Sequence, residues 1–227
     1  VQVITHSKKV KKGLMQKLFT RGIGHVTFKK VPWLVGKEIE IPEEWEVRKL
    51  DDVLELVQYG IAEPMFEKGK YPIFRMNSIQ KGKVIELDMK FIDLTIEEFK
   101  KYRLEKYDLL FNRTNSYELV GKIGIFLLDD NYTFAGYLIR LRTNEKMNPI
   151  FLNNYLNTKE LRYNVKRYAT NAVSQTNINA TNLKSIIIIV PPRQEQNKIA
   201  TILSNIDSKI TSQEQYKEKL EKLKKSL

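Results

Sequence analysis

Several clusters of amide, hydroxyl and cationic side chains contain the residue types that could do chemistry in this chain. The densest spans residues 111–117, and a second, 170–179, follows the basic segment 166–168. Asn can pair in a bidentate manner with adenine, Arg with guanine, and Ser or Thr with phosphates or base edges. Turns held by local side-chain hydrogen bonds explain the same composition equally well. The candidate nucleic-acid-contacting residues are Tyr59, Gly60, Arg75, Asn77, Lys81, Arg113, Thr114, Asn115, Ser116, Lys122, Lys166, Arg167, Ser174, Gln175, Asn177 and Asn179.

The chain lacks the residues and motifs of most catalytic sites. It contains no cysteine and only two histidines, His6 and His25, which are not spaced as a helical ligand pair. Disulfides, zinc-finger sites and thiol catalysis are therefore excluded. No Gly-Lys pair is followed by Ser or Thr, so a P-loop is missing, and the Asn/Asp-Pro-Pro-aromatic tetrapeptide of amino-methyltransferases is missing too. We expect no catalytic residue and no resident metal or cofactor.

One weak enzymatic signal is the alternation of Glu86, Asp88 and Lys90. Alternate positions on a strand share one face, where two carboxylates could hold Mg²⁺ and a lysine could stabilise developing charge. A solvated strand face explains the pattern more simply. A metal-dependent nuclease is nevertheless kept as an alternative function.

The charge of the chain points to a polyanionic partner. There are 39 Lys and Arg against 27 Asp and Glu, for a formal net charge of +12. Residues 1–37 carry nine basic and no acidic side chains, so the remainder is close to neutral. The apolar run 186–190 is far shorter than the roughly 20 residues of a membrane helix. We expect a cytoplasmic protein with no membrane contact, and the start without Met suggests a fragment of a longer chain.

Hydrophobic periodicity and Gly/Pro positions divide the chain into four parts. Residues 1–19 are predicted to form a helix, 20–40 a linker, 41–192 a mixed α/β (α+β) domain with short strands, and 193–227 a long coiled-coil-like helix. The last helix would be about 50 Å long, and its apolar seam favours a partner helix. The seam consists of Ile199, Ile202, Ile206, Ile210, Leu220, Leu223 and Leu227.

The two ends of the chain resemble each other. Residues 10–14 (VKKGL) match residues 223–227 (LKKSL), and both lie at the far end of a basic amphipathic segment. We interpret the chain as one period of a two-fold internal repeat that retains the end of the preceding helix.

Five segments together resemble the specificity subunit of type I restriction–modification systems. Residues 41–45 resemble the opening of a target-recognition domain, 107–122 its central motif, and 177–179 with 190–196 its exit into the conserved helix. Residues 12–18 resemble the end of that helix from a preceding repeat. The Pro-Pro-x-x-Glu-Gln element at residues 191–196 is the most specific single mark.

The resemblance implies a non-catalytic role in sequence recognition. In this family two target-recognition domains each read one half of a bipartite site in double-stranded DNA, and two long helices pack antiparallel as a spacer. Methyltransferase subunits dock there and use S-adenosylmethionine, while a restriction subunit translocates and cuts DNA with ATP and Mg²⁺. No cofactor is expected in this chain itself.

The chain departs from the family pattern because it carries a single recognition domain. We therefore expect either a C-terminal fragment or a natural half-subunit, completed by a second recognition half or a homodimer mate. Two further alternatives are the specificity segment of a single-chain restriction–methylation enzyme and a scaffold that binds no DNA.

Overall fold

The computed structural model describes residues 2–33, 37–171 and 176–226. The chain divides into two compact units. The first unit joins Val1–Glu46 to Pro191–Leu227, and the second is Val47–Val190. Among the described residues, no helix combines the length and hydropathy that a membrane crossing requires.

The described residues form α-helices of very different lengths and many short strands. The helices are α1 (Gln2–Leu18), α2 (Ile96–Tyr102), α3 (Pro149–Leu156), α4 (Lys159–Arg167), α5 (Ala180–Lys184) and α6 (Arg193–Ser226). The strands are β1 (Phe28–Pro32), β2 (Glu38–Pro42), β3 (Glu46–Lys49), β4 (Leu54–Tyr59), β5 (Tyr71–Phe74), β6 (Ile79–Gln80), β7 (Lys83–Val84), β8 (Lys90–Ile92), β9 (Leu109–Asn112), β10 (Thr114–Asn115), β11 (Ile123–Ile125), β12 (Thr133–Phe134), β13 (Leu138–Thr143), β14 (Thr170–Asn171), β15 (Thr176–Asn177) and β16 (Ile187–Val190). The mixed α/β architecture with a long C-terminal helix is the predicted fold class.

The first unit is built on an antiparallel pair of helices, α1 and α6. Ser7 hydrogen-bonds Gln213 at 3.1 Å, and Lys11 forms an ion pair with Asp207 at 2.6 Å. The residue further along α1 contacts the residue earlier in α6, so the two helices run antiparallel.

The predicted seam of α6 is buried only in its first half. Ile199 and Ile210 are buried, Ile202 and Ile206 are half-buried, and Leu203, absent from the predicted seam, is fully buried. Leu220 and Leu223 are exposed. With Ser7 opposite Gln213, Leu223 lies beyond the start of α1 at Gln2. Leu227 lies outside the described residues.

The predicted linker 20–40 contains regular structure. Strands β1 and β2 pair antiparallel, with Val31 opposite Ile39. Composition suggested a linker because Gly and Pro punctuate the segment, but the backbone hydrogen bonds of a hairpin need no continuous apolar run.

A buried carboxylate connects three segments of the first unit. The side chain of Glu195, in the first turn of α6, accepts hydrogen bonds from the Ile23 amide at 2.8 Å and the Trp45 indole at 2.9 Å. Nε2 of His25 lies 2.9 Å from the same carboxylate. The Glu of the Pro-Pro-x-x-Glu-Gln element therefore joins the start of α6 to the turn after α1 and to Trp45.

The second unit is organised around a six-stranded sheet in the order β4-β13-β9-β11-β7-β6. All its neighbours run antiparallel except β11 and β7, which run parallel. The remaining strands of this unit form three smaller sheets, in the orders β12-β5-β8, β10-β15-β14 and β16-β3. One core cluster consists of Phe74, Ile79, Val84, Leu104, Leu110, Phe126, Tyr132, Phe134 and Leu138.

Local capping decides where the helices of the second unit begin and end. The Thr-x-x-Glu spacing of Thr95 and Glu98 predicts a capping box, and this box forms at the start of α2. The sequence of the segment 149–168 is typical of a single helix, but the segment forms two helices. The Thr158 side chain caps α4, and the Asn157 amide donates to the Ile123 carbonyl at 3.1 Å. A capping residue followed by a new helical turn interrupts the helix without Gly or Pro.

Replacement of Gly22 by Ala should destabilise the first unit. Gly22 has φ +63°, and a Cβ there would lie 2.4 Å from Glu195 Oε1 and within 3 Å of the Trp45 ring. The backbone strain and the displaced carboxylate should lower the free energy of unfolding by roughly 2–3 kcal/mol. Urea unfolding followed by Trp fluorescence measures this.

Gly13→Ala is the matched control, since Gly13 lies within α1 and a Cβ there meets no atom within 4 Å. It should raise stability by about 0.5–1 kcal/mol. Equal effects of the two substitutions would contradict the tight packing at Gly22.

Candidate nucleic-acid interface

One edge of the six-stranded sheet gathers candidate residues that are far apart in sequence. The register places Tyr59 opposite Ile139, Ile139 opposite Phe111, and Phe111 opposite Ile123. At this edge β4 and β9 end, and β13 and β11 begin. The turn from β6 to β7, which contains Lys81, lies on the same side, but Lys83 pairs with Ile125, two residues further from the edge. We call it the polar edge, defined by Tyr59, Lys81, Arg113, Lys122 and Tyr137.

Arg113 is held at the polar edge immediately after β9. Its guanidinium carbon lies 4.9 Å from the centre of the Tyr59 ring, and Nη1 is 3.4 Å from the Gly136 carbonyl. Its Nε is buried and has no hydrogen-bond partner among the described residues. The Tyr59 ring and the Gly136 carbonyl therefore orient the Arg113 guanidinium, while its Nε–H makes no hydrogen bond to the described residues.

Tyr59 is itself fixed from the other side. Its hydroxyl oxygen accepts a hydrogen bond from the Ala180 amide at 2.8 Å, at the start of α5. Gly60 must be glycine, because a Cβ there would lie 2.3 Å from the Ala135 carbonyl oxygen. Gly60, predicted as a nucleic-acid contact, therefore packs its backbone closely against that of Ala135.

The small sheet β10-β15-β14 repeats the dipeptide Thr-Asn in each of its strands. Thr114 lies opposite Asn177, and directly opposed residues of an antiparallel pair share a face. Thr114 Oγ1 and Asn177 Oδ1 are buried without a partner in the described part of the chain. Such atoms cost roughly 1–3 kcal/mol each unless water or a ligand satisfies them.

Asn112 was not selected from the sequence, although it lies in the densest polar stretch. It is 1% exposed, and neither polar atom of its amide has a hydrogen-bond partner among the described residues. The signal that could have found it is its place as the last residue of an apolar strand, where a buried amide is unexpected.

Other candidates have structural partners. The Asn115 amide lies 3.2 Å from the Met76 sulfur, and its Oδ1 accepts from the Ser116 amide. Arg75 forms an ion pair with Asp88 at 2.6 Å, and Asn77 donates to the Leu87 carbonyl at 3.3 Å. The Arg75 and Asn77 side chains therefore bind the neighbouring loop.

The remaining candidates fall at several places around the second unit. The Asn179 side chain caps α5 by accepting from the Asn182 amide at 2.7 Å. Lys166 packs over the ring of Tyr117, and Arg167 is exposed in the last turn of α4. Ser174 and Gln175 lie outside the described residues.

The residues of the nuclease alternative do not converge. Glu86 accepts a hydrogen bond from the Tyr132 hydroxyl at 2.6 Å, and Lys90 pairs with Glu67. Burial and then this hydrogen bond raise the pKa of Tyr132 to about 12. Asp88 has φ +47° and pairs with Arg75, so the three residues do not share a strand face. Across the described ranges, no three His, Asp or Glu residues are grouped to hold a metal ion.

Residues 42–222 match the family described as "Type I restriction modification DNA specificity domain". The chain belongs to this family. The match extends from the last residue of β2 through the second unit and most of α6.

Individual relatives carry the same description. The chain is 38% identical over 192 residues to MjaX of Methanocaldococcus jannaschii, a candidate type I restriction enzyme specificity subunit, covering 83% of this chain and 45% of the relative. It is 31% identical over 234 residues to the MjaVIII specificity subunit of the same organism, covering 96% and 52%. The chain thus spans about half the length of these specificity subunits.

Solved structures share the fold at low sequence identity. The HsdS subunit from Thermoanaerobacter tengcongensis aligns with a TM-score of 0.59 at 16% identity, over 93% of this chain and 46% of that one. A chain from a structure of the type I R-M system, described for its complex assembly and conformational transition, aligns with a TM-score of 0.66 at 16% identity, over 99% and 50%.

Replacing Tyr59 should separate the ring's effect on Arg113 from the effect of its hydroxyl. Tyr59→Leu removes the face that holds the guanidinium, so the Arg113 Nε–H should become more mobile. Tyr59→Phe loses only the hydrogen bond from Ala180, and Arg113 should stay ordered. Both variants should lose about 1 kcal/mol of stability. Side-chain NMR relaxation of the Arg113 Nε–H distinguishes them, and equal Arg113 order in the two variants would contradict the stacking role.

Proposed function

We propose that this chain is a sequence-specific DNA recognition subunit of a type I restriction–modification complex, reading one half of a bipartite site. The observation that carries the proposal is the half-buried Arg113 guanidinium, which the Tyr59 ring and the Gly136 carbonyl orient at the end of β9. The edge of a guanine base in the major groove offers two acceptors to such a planar group.

The distribution of charge at the polar edge supports double-stranded DNA as the ligand. Arg113, Lys122 and Lys81 provide cations at the ends of neighbouring strands. Phosphate contacts position a protein on the duplex, and contacts with base edges specify the sequence. The second unit therefore contains both kinds of group within one domain.

The exposed end of α6 supports docking of further subunits. Tyr216, Leu220 and Leu223 are exposed apolar side chains on this helix. On this proposal they are covered by methyltransferase subunits or by a second recognition half, which a homodimer mate could supply. S-adenosylmethionine, ATP and Mg²⁺ would act in the methyltransferase and restriction subunits, and this cytoplasmic chain would itself be non-catalytic.

The specificity segment of a single-chain restriction–methylation enzyme is the second candidate function. The chain matches roughly half the length of the specificity subunits, which is compatible with a separate subunit and with a segment of a single-chain enzyme. In both, the second unit would read DNA through the same polar edge.

Arg113→Ala should weaken specific binding more than non-specific binding. Each lost base contact should reduce the free energy of discrimination by about 1–3 kcal/mol. Arg113→Lys is the matched control, because it keeps the charge but not the planar fork. It should retain non-specific affinity while losing discrimination. Selection from a random duplex library followed by competition binding measures both, and a uniform loss across all sequences would make Arg113 a phosphate contact.

Charge introduced at the exposed seam should prevent assembly. The double substitution Leu220→Glu and Leu223→Glu should abolish association with the methyltransferase subunit of the same system or with a second copy, since it places carboxylates in an apolar contact. Lys224→Glu is the control on the same turn. Size-exclusion chromatography with light scattering gives the masses, and an unchanged complex in the double variant would show that this face is not the interface.

A further inference from the structure

Two cationic side chains of α4 converge on the turn that follows the Arg113 segment. Lys166 Nζ lies 3.2 Å from the Glu118 carbonyl oxygen, and Arg162 Nη2 lies 3.4 Å from the same atom. The ring of Tyr117 lies against Lys166, with 4.8 Å from Nζ to the ring centre. One backbone oxygen and one aromatic face thus hold two positive charges together.

Among the described residues neither cation forms an ion pair with a carboxylate, although the charge of Glu118 acts on Lys166 and opposes the lowering of its pKa. Within the described ranges, Arg162 Nε is buried without a hydrogen-bond partner. Burial and then the nearby Arg162 guanidinium lower the pKa of Lys166 below its usual value. Two like charges held close together repel each other, and an anion bound between them would relieve that repulsion.

The backbone next to these cations is hydrogen-bonded to β9. The Gly121 amide donates to the Asn112 carbonyl at 2.9 Å, and Leu119 and Val120 both donate to the Ser116 carbonyl. Gly121 has φ +80°, and a Cβ there would lie 3.3 Å from Val165 of α4. Helix and turn are therefore packed together, so the cations keep a fixed position relative to β9.

We propose that Arg162, Lys166 and Tyr117 form a binding site for one DNA phosphate, separate from the base-reading group around Arg113. This rests on the proposed function, because the phosphate is that of the duplex being read. Arg162 and Lys166 would hold the phosphate oxygens with charge-assisted hydrogen bonds, and the Tyr117 ring would shield them from water. Binding at a single phosphate fixes the register of the protein on DNA without carrying sequence information.

Salt dependence tests the phosphate contact. The double variant Arg162→Gln and Lys166→Gln should reduce the slope of log affinity against log salt by about 0.9, the value for one phosphate contact. Affinity should fall about tenfold on specific and non-specific duplexes alike. Lys159→Gln, in the first turn of the same helix, is the control for loss of charge and should leave the slope closer to that of the parent protein. An equal slope in the double variant and this control would overturn the proposal.

Neutralising one phosphate at a time locates the site. Duplexes with single methylphosphonate linkages should include one position that costs the parent protein about tenfold in affinity and costs the double variant nothing. Inorganic phosphate, added at constant ionic strength, tests a free anion as the ligand. Competition by inorganic phosphate in the parent protein, without any methylphosphonate position that distinguishes the variant, would overturn the assignment to DNA.

The same measurements separate failure of this inference from failure of the proposed function. If the parent protein binds duplexes without any sequence preference, the recognition function fails, while the slope and methylphosphonate results still decide the phosphate site. If the parent protein discriminates sequences and the double variant matches it in slope and in every methylphosphonate cost, only the phosphate site fails.

Discussion

The ion pair between the buried Asp108 carboxylate and Arg142 sets the position of β9, and the polar edge depends on that position. The Asp108 carboxylate is 1% exposed and accepts from Arg142 Nε at 2.7 Å and Nη2 at 2.9 Å. Asp108 immediately precedes β9 and Arg142 belongs to β13, so the pair holds Leu109 opposite Leu141. A slip of one residue would turn every side chain of β9 to the other face. Arg113 would then no longer reach the Tyr59 ring.

The two ends of the sheet differ in charge. Glu105 and Asp108 gather around Arg142 where β9 begins, whereas Arg113 and Lys122 lie where it ends. The hydrogen bond to Asp108 raises the pKa of Arg142, so this guanidinium stays charged. The carboxylates where β9 begins are paired with Arg140 and Arg142, whereas Arg113 and Lys122 form no ion pair among the described residues. A near-neutral domain can in this way present a local surface for DNA, while most of the net charge of the chain lies in its first 37 residues.

Local sequence signals predicted those features whose partners are also local. The capping box of Thr95 and Glu98 formed because both partners lie three residues apart. The break between α3 and α4 was not predicted, because the Asn157 amide bonds the carbonyl of Ile123, 34 residues away. The alternation of Glu86, Asp88 and Lys90 suggested a shared strand face, but the strands β7 and β8 leave Glu86 and Asp88 outside them.

By itself the sequence determined the mixed α/β class, the long helix with an apolar seam, the lack of cysteine chemistry and the motifs of the specificity family. Periodicity, composition and short motifs depend on neighbours within a few residues, so they are readable without a fold. Only the tertiary structure decided which polar groups have a partner within the chain. Tyr59 and Arg113, or Thr114 and Asn177, meet only after the sheet has formed. A polar side chain is available to a ligand when folding leaves it both accessible and without a partner, and both conditions depend on distant parts of the chain.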